Sequence, residues 1–452
     1  MMPRYFQVTT NFMEKSSIFT PTDSPKSMKV KAFGILITLY FIFIAASTMA
    51  QETVNSQKLL VEKMVKAGFE NVGIYQHKND IYLFYENRLY RWEIEGLSKV
   101  IQSAASELGD SIRLHVIPLY NQIPVAVVTT VIQDYKKMIS GENANHSLAN
   151  SISVNLNSDS VRAIQKGLSL QNSPSRKLDL IFLPGLRFQY GNLSNPWEKR
   201  ISISPILQTS LWKGNLLSAE VLIPLYNDLQ QHYEGDIRLE TATLNQLFRL
   251  PKNLFIYTSA GIFSYTARLT SSINYKRYGV STEVRKYLLN GRICAGGNIG
   301  LTGYLDYVGG TLNYWPLDQV NFALYTEYRE PTFDLATRLT VGKFLYNDYA
   351  VRLDLKRRFH ESTFGVFILK SNYRASPSET GTVGGISLTL PISSRRATKP
   401  APFRMKLAKY FDYEYRERTV DPLATTYRTN NDWNETVLNL NPDYIKKQLM
   451  QP

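Results

Sequence analysis

From residue 178 onward, apolar and polar side chains take turns along the chain, segment after segment. Ile201 and Ile203 alternate with Ser202 and Ser204, and Val280, Thr282 and Val284 with Ser281, Glu283 and Arg285. Val320, Phe322 and Leu324 alternate with Asn321, Ala323 and Tyr325, the polar set continuing to Glu327 and Arg329. Phe333, Leu335 and Leu339 alternate with Asp334, Ala336 and Arg338, and Val351, Leu353 and Leu355 with Arg352, Asp354 and Lys356. A period of two is the strand period, because successive side chains leave a strand on opposite faces. Lys213-Gly214-Asn215, Asn290-Gly291 and Asn347-Asp348 punctuate the runs, and Asn-Gly suits a tight hairpin. The pattern predicts about 12 to 14 strands between 178 and 391, many longer than the five or six residues usual in a soluble sheet.

Upstream the period changes. Leu59, Leu60, Met64 and Val65 recur at helical spacing between Ser56, a candidate N-cap, and Gly68. Short strand-like runs follow at Asn71–Tyr75 and Ile81–Tyr85. Ile94, Leu97, Ile101, Ala104 and Leu108 then form one helical stripe. Ile112, Leu114 and Val116, then Ile123–Val128, read as two more strands, and Val131–Ile139 as a helix ending at Gly141. The expectation is a small α/β domain over 54–141. A Ser- and Asn-rich linker follows over 142–177, with one short helix at Val161–Gly167.

At the front, Lys29 and Lys31 precede the uncharged run Ala32–Ala46, and Thr48-Met49-Ala50 places small residues before Gln51. This is the anatomy of a secretory signal peptide over 28–50, cleaved between Ala50 and Gln51. The apolar run is short of the roughly 20 residues a membrane helix needs. Met28 then reads as the natural start and 1–27 as an upstream extension. No cysteine follows the apolar run, so a lipid-anchored form is not expected. No later stretch reads as a membrane helix, which says nothing about strands.

Two architectures answer the alternating region: a soluble sandwich, and an outer-membrane β-barrel. Three features favour the barrel. The strands are long, one face is apolar while the other carries both signs of charge, and aromatics gather near strand ends. Those aromatics are Trp212, Tyr226, Tyr287, Tyr304, Tyr307, Tyr314, Trp315, Tyr328, Tyr346, Tyr349 and Tyr373. A lipid-facing Arg or Lys at mid-membrane costs roughly 2–4 kcal/mol. The charges Glu283, Arg285, Glu327, Arg329, Asp334, Arg338, Arg352, Asp354 and Lys356 therefore line the expected lumen, where they either brace the barrel or handle a polar sugar chain. Tyr287 and Tyr325 join them as candidate stacking faces. Lys286 and Lys343 fall in the apolar sets, near strand ends where a lysine can snorkel.

Composition narrows the chemistry. The 452 residues carry 52 Lys+Arg against 38 Asp+Glu and a net charge of +14. One cysteine, Cys294, excludes a disulfide scaffold, and five scattered histidines argue against a zinc module. His77 and His115 read as ordinary core or surface residues. His232 and His360 beside plentiful serines are too weak a signal for a lipase-like site, and Asp412 with Glu414 reads as surface charge. No nucleophile-elbow, zincin, phosphate-loop or dinucleotide motif occurs. No enzyme activity and no cofactor are expected. The basic cluster Arg395, Arg396, Lys399, Arg404, Lys406 and Lys409, in the segment 393–452, is either a solvated edge or a site for an anionic glycan or lipid phosphate. Nucleic acid is not an expected partner of an exported barrel.

Several stretches resemble the YjbH-type exopolysaccharide and capsule family. GFENVGIY (Gly68–Tyr75) with YENRLYR (Tyr85–Arg91) is similar to its small periplasmic domain. RRFHESTFGVFILKS (Arg357–Ser371) and GGISLTLPI (Gly384–Ile392) resemble a final barrel hairpin, and FRMKLAKYFDYEYRERT (Phe403–Thr419) the basic, tyrosine-rich segment after it. The resemblance implies an outer-membrane barrel over 178–392 with a periplasmic N-terminal domain. It also implies a role in polysaccharide export or assembly, with outer-membrane lipid, exopolysaccharide and periplasmic export proteins as partners. The rival expectations are a general porin or structural barrel without a glycan role, and a lipid- or glycan-modifying enzyme.

Overall fold

The computed structural model describes residues 55–140, 151–190, 197–229, 235–265, 276–308, 311–372, 381–396, 398–416, 423–429 and 441–450. The expected extension, signal peptide and cleavage site at Ala50 and Gln51 lie outside these residues, as do His232 and Tyr373. The fold described below lies in the unit Ser56–Pro452.

The first part of that unit is an α/β domain. Helix α1 covers residues 55–67. It is followed by β1 (Glu70–His77), β2 (Asp80–Glu86), α2 (Glu93–Glu107), β3 (Arg113–Tyr120), β4 (Ile123–Pro124), β5 (Val127–Val131), α3 (Ile132–Ser140), β6 (Ile152–Asn155) and α4 (Asp159–Lys166). The sheet order is β1-β2-β3-β5-β6, with β4 beside β3. β2 and β3 are parallel, as a crossover through a helix requires, and the other pairs are antiparallel. The expected stripe of α2 is its buried face: Ile94, Leu97, Ile101 and Ala104 pack into one core with Leu60 and Met64 of α1 and Leu83, Leu114 and Val116 of the sheet. Gly68 ends α1 at φ +99°, a left-handed conformation that glycine adopts without strain.

The stretch expected as a linker is corrected in part. Within 142–177, β6 pairs with β5, burying Ile152 and Val154 while Ser153 and Asn155 face out, and α4 matches the expected short helix. Four alternating residues are too short a run to stand out in a Ser/Asn-rich sequence.

The second part is a single antiparallel sheet system. Its long strands are β7 (Leu178–Tyr190), β8 (Trp197–Thr209), β9 (Asn215–Asn227), β10 (Arg238–Leu250), β11 (Leu254–Tyr265), β12 (Lys276–Leu288) and β13 (Ile293–Val308). After the short β14 (Thr311–Tyr314) come β15 (Gln319–Glu330), β16 (Leu335–Lys343), β17 (Tyr349–Phe359), β18 (Ser362–Ser371) and β19 (Thr382–Pro391). Each long strand pairs with its neighbours in sequence, β14 lying off the path on β13. Tight turns join the strands at one end, such as 251–253 and 360–361, while connections at the other run to ten residues, as at 266–275.

The segment 393–452, expected as a basic tail, adds four elements: β20 (Phe403–Leu407), β21 (Tyr410–Arg416), β22 (Tyr427–Arg428) and α5 (Pro442–Leu449). β20 runs parallel to β7 and β21 antiparallel to β19, so one stretch of chain stands at both ends of the sheet path. At the changeover the Ala408 N–H donates to Phe182 O (2.9 Å) and the Ile392 N–H to Lys409 O (3.1 Å). β7 and β19 do not pair with each other, so the hydrogen-bonded ladder is not closed.

Candidate functional site

The two faces of the large sheet differ completely. Leu244, Phe248, Val284, Leu301, Leu324, Leu353 and Ile368 are exposed on one face, at 37–61% of full accessibility. The other face buries polar groups, among them Thr243, Asn245, Ser281, Arg285, Asn321, Arg329 and Asp354. Exposed aromatics lie at both ends of the exposed face. Trp197, Tyr226, Tyr314, Trp315 and Tyr349 stand at the long-connection end, and Trp212, Tyr328, Phe333, Phe359 and Phe403 at the tight-turn end. Of the aromatics expected at strand ends, Tyr287 is instead buried on the inner face, 3% exposed, because its parity on β12 is that of Arg285.

Most of the charges expected in the lumen lie on the inner face, and several of them pair there. Arg285 bonds Glu283 at 2.7 Å, and the Tyr325 hydroxyl donates to the same carboxylate at 2.5 Å. The Arg338 guanidinium stacks 3.7 Å from the centre of the Tyr325 ring. Arg329 bonds Glu327 at 2.7 Å. Arg352 bonds both Asp354 and Glu414 at 2.8 Å, and Asp334 accepts from Lys447 of α5 at 2.7 Å. Lys356 stays exposed. Charges that alternate in sign two residues apart on one strand meet side by side, so the period that sets the face also sets the pairing.

The α/β domain sits on the tight-turn end. Asn290 links Val154 O and Leu156 N, and the Gly214 N–H donates to Asn121 O at 2.7 Å. Arg249 reaches in from β10 to the carbonyls of Pro124 and Leu156. Leu247, Phe255, Tyr257, Tyr287, Cys294 and Tyr325 of the inner face, with Tyr444, Ile445 and Leu449 of α5, join the domain's own core. Apolar packing therefore runs without a break from the domain into the sheet.

The expected basic cluster is divided by the fold. Arg395, Arg396 and Lys399 are exposed, Lys409 is half-buried, and Arg404 and Lys406 are corrected to interior positions. Arg404 bonds Asp179 of β7 at 2.5 Å and Glu70 of β1 at 2.8 Å, and Lys406 bonds Asp179 at 3.0 Å. Lys177 also bonds Glu70, at 2.9 Å. Their even parity on β20 turns them inward while Phe403, Met405 and Leu407 face out. This network ties domain, first strand and last segment together. Close by, Glu93 of α2 accepts from Asn87 at 2.7 Å and from Tyr85 at 3.3 Å. Burial pushes its carboxyl up to about 7, against the pull of Lys409 and those hydrogen bonds.

Nearer the other end, residues 423–429 lie against the inner face. Asp348 accepts from the Ala424 N–H at 2.8 Å, and Leu423 packs with Phe344, Phe367 and Leu369. A few residues on, β22 pairs with β11, Tyr427 stacks on Phe263 at 4.9 Å, Arg428 bonds Glu220 at 2.7 Å, and Thr243 donates to Thr429 O at 2.9 Å. The segment thus crosses from the β16–β19 wall to the β9–β11 wall as a strap. Pattern reading did not find it, since two paired residues leave no period. Arg277, on the inner set of β12 with Glu283 and Arg285, was within reach of parity.

Among the described residues, two histidines have contacts that pack them. His115 contacts Asp80 at 3.1 Å and Thr129 at 2.9 Å and stacks on Tyr82, and His360 stacks on Trp92. Asp412 accepts from Thr389 at 2.5 Å, and Glu414 is taken up by Arg352 and Arg416.

Among solved structures, the outer membrane channel DcaP of Acinetobacter baumannii has a TM-score of 0.28 and 10% identity, over 47% of this chain and 84% of its own. A loop-deletion mutant of OmpT of Vibrio cholerae has 0.28 and 10%, over 55% and 95%. A mutant Rh. blastica porin has 0.25 and 11%, over 53% and 98%. No curated protein sequence matches. A family model described as "Exopolysaccharide biosynthesis protein YbjH" matches residues 5–406, so the chain that carries this domain-capped sheet belongs to the YjbH family.

Proposed function

We propose that this protein is a non-catalytic outer-membrane β-barrel component of exopolysaccharide or capsule export or assembly, its α/β domain in the periplasm and meeting periplasmic export proteins there. The observation that carries the membrane reading is the exposed apolar face of the large sheet, bounded at both ends by aromatics. A soluble protein rarely exposes so extensive an apolar surface, whereas hydrocarbon is its natural solvent and aromatic belts mark its two boundaries. The tight-turn end, where the domain sits, is the periplasmic end in barrels of this kind. The family supports the link to exopolysaccharide. The rival reading as a general porin is disfavoured by the strap and by the many inner charges that pair with one another.

The test has two arms. The purified chain is expected to be folded and monodisperse in detergent and to aggregate when detergent is removed; a monodisperse folded protein in plain buffer overturns the membrane reading. A deletion strain is expected to lose most of its surface exopolysaccharide, and an unchanged polymer level overturns the export reading.

A further inference from the structure

The strap covers a wall of unusual composition. Arg277 of β12 is 0% exposed, and its Nε, Nη1 and Nη2 have no hydrogen-bond acceptor among the described residues. Its guanidinium lies 4.2 Å from the centre of the Tyr304 ring. Thr241 and Thr302, each 0% exposed, also leave their hydroxyls without a partner there. Arg277 is directly opposite Phe263 on β11 and Tyr304 on β13, and Thr302 stands two residues before Tyr304, on the same face. Nearby carboxylates are engaged with other cations: Glu220 with Arg428 at 2.7 Å, and Glu240 with Lys276 at 2.6 Å and Arg238 at 3.4 Å. Buried polar groups normally find partners, and those that do not call for a reason. A guanidinium is a fork for a carboxylate.

Tyr427 and Arg428 of the strap cover this wall. Tyr427 lies on the ring of Phe263, and Arg428, the strap's anchor to Glu220, keeps 41% of its side chain exposed. The Tyr427 hydroxyl fills the space left by Gly300: a Cβ there would stand 1.8 Å from it.

We propose that the wall beneath Tyr427 is a subsite for an anionic saccharide residue, with Arg277 as the partner of its carboxylate, the Phe263 ring as its stacking face, and the hydroxyls of Thr241 and Thr302 as hydrogen-bonding groups. In the structure described, the strap occupies this subsite, with the Tyr427 ring in the place of the sugar ring. The proposal rests on the export reading for its biological sense, but its chemistry is tested without it.

The experiment uses the full chain in detergent micelles, with trigalacturonate as the probe and maltotriose as the neutral control, read by isothermal titration. The strap is released in two independent ways: Tyr427→Ala with Arg428→Ala, and Gly300→Ala, which leaves the strap sequence intact. Either release is expected to raise affinity for trigalacturonate at least about ten-fold over the unaltered chain. Adding Arg277→Gln is expected to abolish the gain, Arg277→Lys to keep part of it, and maltotriose to show none. No gain in either released variant, with its fold retained by circular dichroism, overturns the subsite. So does an equal gain for maltotriose, or indifference to Arg277→Gln. A strain lacking the protein that keeps its surface polymer refutes the export reading and leaves the binding result standing.

Discussion

The α/β domain and the large sheet use the same side chains in opposite places. In the domain, Leu97 is 0% exposed and most charges are at the surface; in the sheet, Leu353 is 37% exposed and Arg277 is 0% exposed. The domain obeys the ordinary rule that water expels apolar groups. On the membrane reading proposed above, the sheet obeys the same rule with hydrocarbon as its outer solvent, so polar groups are expelled inward, where they must satisfy one another. Alternation gives two faces without saying which is out; the cost of a charge in hydrocarbon decides it. Experiments that treat the two regions alike should therefore give unlike answers.

The largest effect is expected where the regions are joined. Arg404, Asp179 and Glu70 are each 3% exposed or less, and removing the guanidinium leaves two buried carboxylates without their bridging cation, facing only Lys406, Lys177 and the more distant Arg88. Arg404→Ala is expected to cost about 3–5 kcal/mol, because breaking a buried ion pair strands its partner. Denaturant unfolding in micelles, followed by circular dichroism, measures the loss, and Asp179→Asn added to Arg404→Ala should recover part of it. A loss below about 1 kcal/mol would show that the joint is wet and behaves as a surface pair.

Next in size is the contrast itself. Leu97→Ala opens a cavity in the core of the domain and is expected to cost about 2–5 kcal/mol. Leu353→Ala removes a similar group from the outward face, where detergent closes around the smaller side chain, and is expected to cost less than about 1 kcal/mol in micelles. Leu353→Arg should cost roughly 2–4 kcal/mol near mid-membrane. Equal losses for the two alanine variants would mean that Leu353 faces protein, and the assignment of faces would fall.

The comparison also explains what could be read in the sequence. Runs such as 351–356 and 320–329 showed the sheet, its faces and its inner charges, because a period of two is local and each strand repeats it. The stripe of α2 was equally plain. Pairing between distant elements was not legible. Arg404 and Lys406 read as part of one basic patch with Arg395, Arg396, Lys399 and Lys409, since nothing near residue 404 announces Asp179 or Glu70. β6 and the strap escaped for the same reason: two to four residues that fold only because a distant strand edge receives them carry no period of their own.

The smallest effect sharpens the comparison from within the domain, where a few carboxylates, Glu93 among them, depart from the rule that charges stay outside. Glu93 is held among Tyr85, Asn87 and Lys409, with Glu86 nearby, and burial lifts its carboxyl from 4.5 to about 7. The folded chain therefore holds the proton more tightly than the unfolded one. Below about pH 4.5 both states are protonated, and the contribution to stability is fully present. It declines as pH rises through the folded value, and above about 7 the fold must carry a buried carboxylate. Converting the shift at about 1.4 kcal/mol per pH unit and discounting for partial exposure gives a decline on the order of 2 kcal/mol. Glu93→Gln keeps the shape and removes the titration. It is expected to match the unaltered chain at pH 4 and to exceed it by that amount at pH 8, measured as the difference between two unfolding curves so that every other titrating group cancels. A difference that does not change with pH would mean that Glu93 is ionised throughout, held by the charge of Lys409.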